Sequence, residues 1–227
     1  MRIRDAKGRM DGNSGYTRAL GNEELGKLIS RVQSTVISNG TELERIVISL
    51  TNVIEDLEEF IERVTDGQQM DGVYLCQKKT IKASCYAIAG KEPDLLIFVV
   101  ERRRVCKVIE LKDGDVFDTK KASGERQHLE EFAREFGAQI PFVTEFYVCS
   151  FNQESKEAIQ VGFKHKFEIE HIMTGMELCE LLDIDYDAIN AQRRADMADN
   201  FDYFIKELLR IPEAREKILE ELNQQRE

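Results

Sequence analysis

Apolar residues recur at helical spacing through Leu25, Leu28, Ile29 and Val32, which predicts a helix beginning near Asn22. A second stripe follows Ser38-Asn39-Gly40. It runs through Leu43, Ile46, Val47 and Leu50, then Ile54, Leu57, Phe60 and Ile61, and predicts further helix. The Asp-Gly steps of "TDGQQMDG" read as a loop. Next come two short strand-like runs, "VYLCQKKT" and "KASCYAIAG", and then two nearly continuous apolar runs separated by Arg102, Arg103 and Arg104. Those two runs, within "KEPDLLIFVVERRRVCKVIELKDGD", predict a buried hairpin. "DGDVFDTKKASGE" reads as a loop with Ser123 as a helix N-cap. Leu129, Phe132, Ala133 and Phe136 then form one helical face, closed by Gly137. "FVTEFYVCSF" is a strand, and "AIQVGFKHKFEIE" has room for one or two more. From Thr174 the pattern is mostly helical, with Pro212 opening the last helix.

The order helix, three or four strands, helix, strand, helices predicts an α/β (α+β) fold. Its core would be a central mixed β-sheet flanked by helices, followed by a helical C-terminal extension. The polar, Gly-rich opening lacks apolar periodicity and reads as a mobile arm over residues 1–18. The remainder, 19–227, is long enough for one domain with a full core and needs no disulfide. Five widely spaced cysteines without a C-x-x-C read as buried thiols in a reducing compartment. With no signal peptide and no membrane-spanning run, a cytoplasmic protein is expected.

Charge changes this picture. A formal charge of −11 argues against a general nucleic-acid coat, because affinity for a polyanion comes from Lys and Arg at phosphates. The distribution is uneven, however: residues 1–34 carry +3, 35–72 carry −7, 73–127 carry +4 and 128–227 carry −11. The positive excess surrounds the hairpin and the opening arm, while the acid lies mainly on predicted helices as a solvated face.

The hairpin also carries charge where a sheet core should be apolar, at Asp94, Glu110 and Lys112. Side chains alternate along a strand, so Glu110 and Lys112 share a face with Leu111 reversed. A three-residue turn at Arg102–Arg104 would set Asp94 opposite Lys112 and Leu96 opposite Glu110, gathering the three charges on one face. A two-residue turn would send Asp94 to the other face. Two adjacent carboxylates call for a cation. Hard oxygen donors, with the Leu111 carbonyl as a third, suit Mg²⁺, with Mn²⁺ as a substitute. A lysine beside such an ion can orient water or stabilise charge on phosphorus, so phosphodiester hydrolysis needs no histidine here.

"PD" at Pro93–Asp94 followed by "ELK" at Glu110–Lys112 resembles the PD-(D/E)XK nuclease superfamily, and type II restriction endonucleases in particular. The resemblance covers about residues 36–152, leaving 153–227 for recognition and dimerisation. "NGTELERIV" resembles the G-x-x-x-E element of the family's first core helix, with Gly40 and Glu44 in those places and Glu42 as a rival. The resemblance implies Asp94 and Glu110 as metal ligands, Lys112 as the catalytic lysine and Glu44 as a supporting acid. It also implies double-stranded DNA as substrate, 5′-phosphate ends, a homodimer on a palindromic site, and a cognate DNA methyltransferase as a genetic partner. "GERQHLEEF" is similar to a Gln-bearing second core helix in some relatives, which would be Gln127.

Lys120, Lys121 and Arg126 are further candidates for DNA contact, because their local charge opposes the acidic whole. Lys78, Lys79 and Lys82 flank a predicted strand turn, while Arg102–Arg104 lie at the far end of the hairpin. His128, His165 and His171 lack metal-ligand spacing, and no phosphate-binding glycine loop is present. A repair or junction-resolving nuclease, or a non-catalytic DNA-binding module with a degenerate site, are the alternative readings.

Overall fold

The two apolar runs of the hairpin form the middle of a five-stranded sheet in the computed structural model, which describes residues 1–9, 14–114 and 119–225. The elements run α1 (Gly15–Leu20), α2 (Glu23–Ser49), α3 (Leu57–Thr65), β1 (Gly72–Gln77), α4 (Lys78–Ala83), β2 (Leu95–Val100) and β3 (Val105–Lys112). They continue with α5 (Thr119–Gly137), β4 (Val143–Ser150), α6 (Lys156–Gly162), β5 (Ile172–Thr174), α7 (Gly175–Leu182), α8 (Tyr186–Arg210) and α9 (Pro212–Gln224). Strand order is β1-β2-β3-β4-β5, antiparallel across β1-β2-β3 and parallel across β3-β4-β5. This is the expected mixed sheet with flanking helices. A parallel β3-β4 pair needs a long crossover, and α5 lies within it.

By internal contacts the chain forms two compact units, Leu43–Tyr186 and Met1–Glu42 with Asp187–Glu227. In the first, β2 is apolar on both faces, as a central strand should be. Leu96, Phe98 and Val100 join Cys106 and Val108 of β3 on one face. Phe60, Ile61 and Val64 of α3 and Leu129, Phe132 and Phe136 of α5 complete that core. The Phe98 ring centroid lies 5.1 Å from Phe60 and 5.0 Å from Phe142. In the second unit the residue 1–18 stretch contains a 3₁₀ turn at Ile3–Asp5 and α1. There Ile3 N donates to Asn200 Oδ1 at 2.6 Å, and Asn200 Nδ2 donates to the Met1 carbonyl at 2.9 Å.

Several elements differ from the sequence expectation. One helix, α2, continues through Asn39-Gly40, because the apolar stripes on either side outweigh about 1 kcal/mol of glycine penalty. "VYLCQKKT" is extended only to Gln77, where the chain turns from β1 into α4 with Thr80 and Ile81 buried, and "KASCYAIAG" is no strand: beyond Ala83 it runs in turns. "AIQVGFKHKFEIE" begins as α6, whose end places Lys164 and His165 in the left-handed region, and only β5 beyond it is extended. Ser123 lies inside α5 and does not cap it. The expected loop before it falls partly on residues 115–118, outside the described residues. Cys76, Cys106, Cys149 and Cys179 are buried free thiols, but Cys85 is exposed. The C-terminal elements behave as expected: Thr174 and Glu177 form a reciprocal cap on α7, and Pro212 sits in the first turn of α9.

Candidate active site

The sheet's core-facing row runs out at one end into charge. The register pairs Leu95 with Ile109, Leu96 with Val108 and Val99 with Val105. The link between strands is therefore longer than a three-residue turn, and the pairing is shifted by two from the one expected. Glu101, Arg102 and Arg103 leave the ladder for solvent, Arg104 is half-buried with its carbonyl accepting from Val143 N at 3.0 Å, and Val100 pairs with Gly72 of β1. A shift of two preserves which face each residue takes. Continued one residue past Leu95, the register sets Asp94 across from Glu110 in place of Lys112. Asp94, Glu110 and Lys112 still follow Leu96 and Val108 on the core face.

Pro93 cannot offer β3 an N–H at this edge, and the Leu111 N–H is taken by the Asp94 carboxylate in place of a backbone carbonyl. Its Oδ2 accepts from Leu111 N at 3.1 Å, while Oδ1 lies 3.4 Å from Lys78 Nζ. A strand residue's N–H and C=O leave the same edge, so the Leu111 carbonyl lies on the edge that carries Asp94. Lys112 Nζ forms a close ion pair with Glu110 and lies 3.5 Å from Glu125 Oε1 of α5. The Asp94, Glu110 and Lys112 side chains are only 13, 12 and 18% exposed, so these charges act at low screening. Beyond Lys112 the strand end is tethered: Phe151 N donates to the Lys112 carbonyl at 2.9 Å, and Asn152 Nδ2 to the Asp113 carbonyl at 2.8 Å.

Burial, and then the charge of Asp94, push the Glu110 carboxyl up to about 7, with Glu125 adding and Lys112 opposing. Burial disfavours the Lys112 ammonium, but Glu110, Glu125 and Asp94 together raise its pKa above the ordinary lysine value. Lys112 is thus a fixed cation, suited to stabilising negative charge and unsuited to acting as a base. Glu44, near the end of α2, is half-buried, and its carboxyl is raised by burial first and by Asp94 second. Its rival Glu42 is instead ion-paired with the Met1 amino group, whereas Glu44 is the one of the two that feels the charge of Asp94. A cleft of about 270 Å³ opens here, lined by residues that include Lys78, Pro93, Glu110, Glu125 and His128.

Among the described residues, no three or more His, Cys, Asp or Glu side chains stand as a ready-made metal-holding group. The donor chemistry nevertheless fits a hard divalent ion. Asp94 and Glu110 are carboxylates crowded enough to raise a pKa, the Leu111 carbonyl shares their edge, and lysines stand against both acids.

No protein-family model and no solved structure matches the chain. A curated relative matches nearly end to end: the type II restriction enzyme HhaII of Haemophilus parahaemolyticus. It is 58% identical over 221 residues, covering 96% of this chain and 97% of the relative. The chain belongs to the type II restriction enzymes.

The remaining residues singled out in this restriction enzyme fall into two groups. Lys120 and Lys121 are exposed in the first turn of α5. Arg126 pairs with Glu168 at 3.0 Å, and Gln127 donates to Glu131 at 2.9 Å, so both are engaged within the protein. The three histidines stay outside the charged cluster's bonds, and His171 stacks on Phe146 at 4.0 Å. Sequence reasoning missed Glu125 and placed Lys78 only beside a predicted strand turn. Glu125 had a signal: it interrupts the stripe Ala122, Leu129, Phe132 at a helical position that an apolar residue would otherwise fill. Lys78 had none, because it reaches Asp94 only once the last three residues of "VYLCQKKT" leave the strand and begin α4.

Proposed function

We propose that the protein is a Mg²⁺-dependent endonuclease that hydrolyses both strands of duplex DNA at a short palindromic site, leaving 5′-phosphate and 3′-hydroxyl ends. The observation that carries the chemistry is Asp94 and Glu110 crowded on one face of a sheet end, with Lys112 held beside them as a cation. Kinship with a type II restriction enzyme supports site-specific cutting of DNA.

Asp94, Glu110 and the Leu111 carbonyl are the residues that would hold Mg²⁺, with Mn²⁺ as a substitute. When bound, the ion acidifies water and draws charge from the phosphoryl oxygens. Lys112 stabilises negative charge as water attacks phosphorus and the bond to the 3′-oxygen breaks. Glu44, its proton affinity raised by burial and Asp94, stands ready to accept a hydrogen bond or proton from a water. Lys120 and Lys121 contact backbone phosphates, and Arg126 and Gln127 join them once DNA replaces their present partners. A homodimer meets the two-fold symmetry of a palindrome. A cognate DNA methyltransferase is the expected genetic partner, since host DNA carrying the site needs protection.

Digestion of plasmid DNA with purified protein and Mg²⁺ tests this reading. Discrete fragments whose ends a ligase rejoins without added kinase are expected. Uncut plasmid at every protein concentration would overturn it.

A further inference from the structure

We propose that Lys78 is an exchangeable counter-ion of the acidic cluster: it yields Asp94 to a divalent cation and passes to a backbone phosphate, so that metal and DNA each tighten the other's binding. The proposal rests on the metal reading above and adds the residue that couples its two ligands.

Local structure delivers Lys78 to this place. β1 ends at Gln77, which pairs with Leu95, the residue after Asp94. The chain turns at once into α4, pinned by the buried Thr80 and Ile81, so Lys78 is held beside the strand end that carries Asp94. The two oxygens of Asp94 then have separate uses. Oδ2 is fastened to the backbone of β3 through Leu111 N, whereas Oδ1 faces the Lys78 ammonium at 3.4 Å. Oδ1 is therefore the oxygen that a metal ion and Lys78 would both claim. Two cations sharing one poorly screened carboxylate oxygen repel each other, so one must leave.

The two lysines of the cluster differ in how firmly they are held. Lys112 is 18% exposed and stands between Glu110 and Glu125. Lys78 is 44% exposed, and its pair with Asp94 is longer than that of Lys112 with Glu110. A lysine's flexible four-carbon stem lets such an ammonium move several ångströms without shifting its backbone. Lys112 is built to stay, and Lys78 to be displaced.

Charge balance gives the direction. Glu44, Asp94, Glu110 and Glu125 face Lys78 and Lys112, and Lys78 opposes the rise of the Glu44 carboxyl caused by burial and Asp94. Acid is in excess, so a divalent ion can replace Lys78 without leaving the cluster positive. The released ammonium remains in the cleft it shares with Glu110 and His128, where a phosphate next to the ion would meet it. A phosphate that draws Lys78 away likewise exposes Oδ1 to the ion. By linkage, each ligand then improves the other's affinity by the same factor.

Calorimetric titration of Ca²⁺ into the full chain without DNA tests the proposal. Lys78→Gln should bind the ion about five- to tenfold more tightly than wild type. Lys79→Gln, an exposed neighbour carrying the same charge change, should stay within about twofold of wild type, which separates contact at Asp94 from net charge. The second measurement is DNA affinity by anisotropy with and without Ca²⁺, on a duplex spanning a mapped cleavage site. The gain produced by Ca²⁺ should shrink several-fold in Lys78→Gln and persist in Lys79→Gln. Equal or weaker Ca²⁺ binding by Lys78→Gln, or the same tightening in Lys79→Gln, would overturn the role of Lys78 and leave the nuclease reading standing. A wild type that binds no Ca²⁺ or Mg²⁺, with or without DNA, would overturn the metal reading and this proposal with it.

Discussion

At the scale of single residues, the site is a balance between burial and charge. Glu110 has an ordinary carboxyl value of 4.5 when unfolded and about 7 in the fold. The folded state binds that proton more tightly, so its contribution to stability is complete below about pH 4.5 and is lost as pH rises towards 7. Urea unfolding of metal-free protein at about pH 5 and about pH 7.5 should show this loss, and Glu110→Gln should reduce the difference between the two. An identical pH dependence in wild type and variant would contradict the assignment. Mg²⁺ should recover stability at the higher pH by binding the ionised form. Glu44 and Glu42 give a second contrast two residues apart. Glu44→Gln should slow cleavage roughly 10- to 100-fold at fixed Mg²⁺. Glu42→Gln, engaged by Met1 in place of Asp94, should leave the rate unchanged. Equal effects in single-turnover cleavage would remove Glu44 from the site.

At the scale of elements, alternation made much of the site legible before the structure, and turn geometry hid the rest. Asp94, Glu110 and Lys112 share a face because strand positions of equal parity do, and a two-residue error in register left that conclusion intact. The pairing partner was not legible, since nothing in three consecutive arginines sets the length of the turn. Lys78 was hidden for a similar reason: "VYLCQKKT" has the composition of a strand to its end, and only the burial of Thr80 and Ile81 shows why the chain turns into α4 at Lys78 instead. The helix break expected at Asn39-Gly40 failed because local propensity is worth about 1 kcal/mol, and two apolar stripes in phase exceed it. A Cβ at Gly40 meets nothing within 4 Å, and its backbone lies outside the left-handed region. Gly40→Ala should therefore raise stability by about 0.5–1 kcal/mol, read from the midpoint of urea unfolding. Phe98, fully buried between Phe60 and Phe142, is the opposite case, and Phe98→Ala should cost about 3–5 kcal/mol.

At the scale of the whole molecule, a chain of net charge −11 must meet a polyanion. Local positive charge lies around Lys78, Lys120, Lys121, the hairpin segment and the opening arm, and a cation at Asp94 and Glu110 would lower the repulsion a phosphate meets there. Binding of a duplex carrying the site should therefore weaken as monovalent salt rises, and weaken less steeply in Lys120→Gln with Lys121→Gln, in an anisotropy titration. No described helix is long and apolar enough to cross a membrane. What joins residue chemistry to molecular function is the claim that Asp94, Glu110 and Lys112 together cut DNA. The most direct test compares wild type with Lys112→Ala on one duplex in Mg²⁺, measuring cleavage and binding in the same samples. The account predicts that the variant binds within a few fold of wild type while its single-turnover cleavage falls by at least about a thousandfold. A variant that cleaves at the wild-type rate would place the catalytic centre elsewhere.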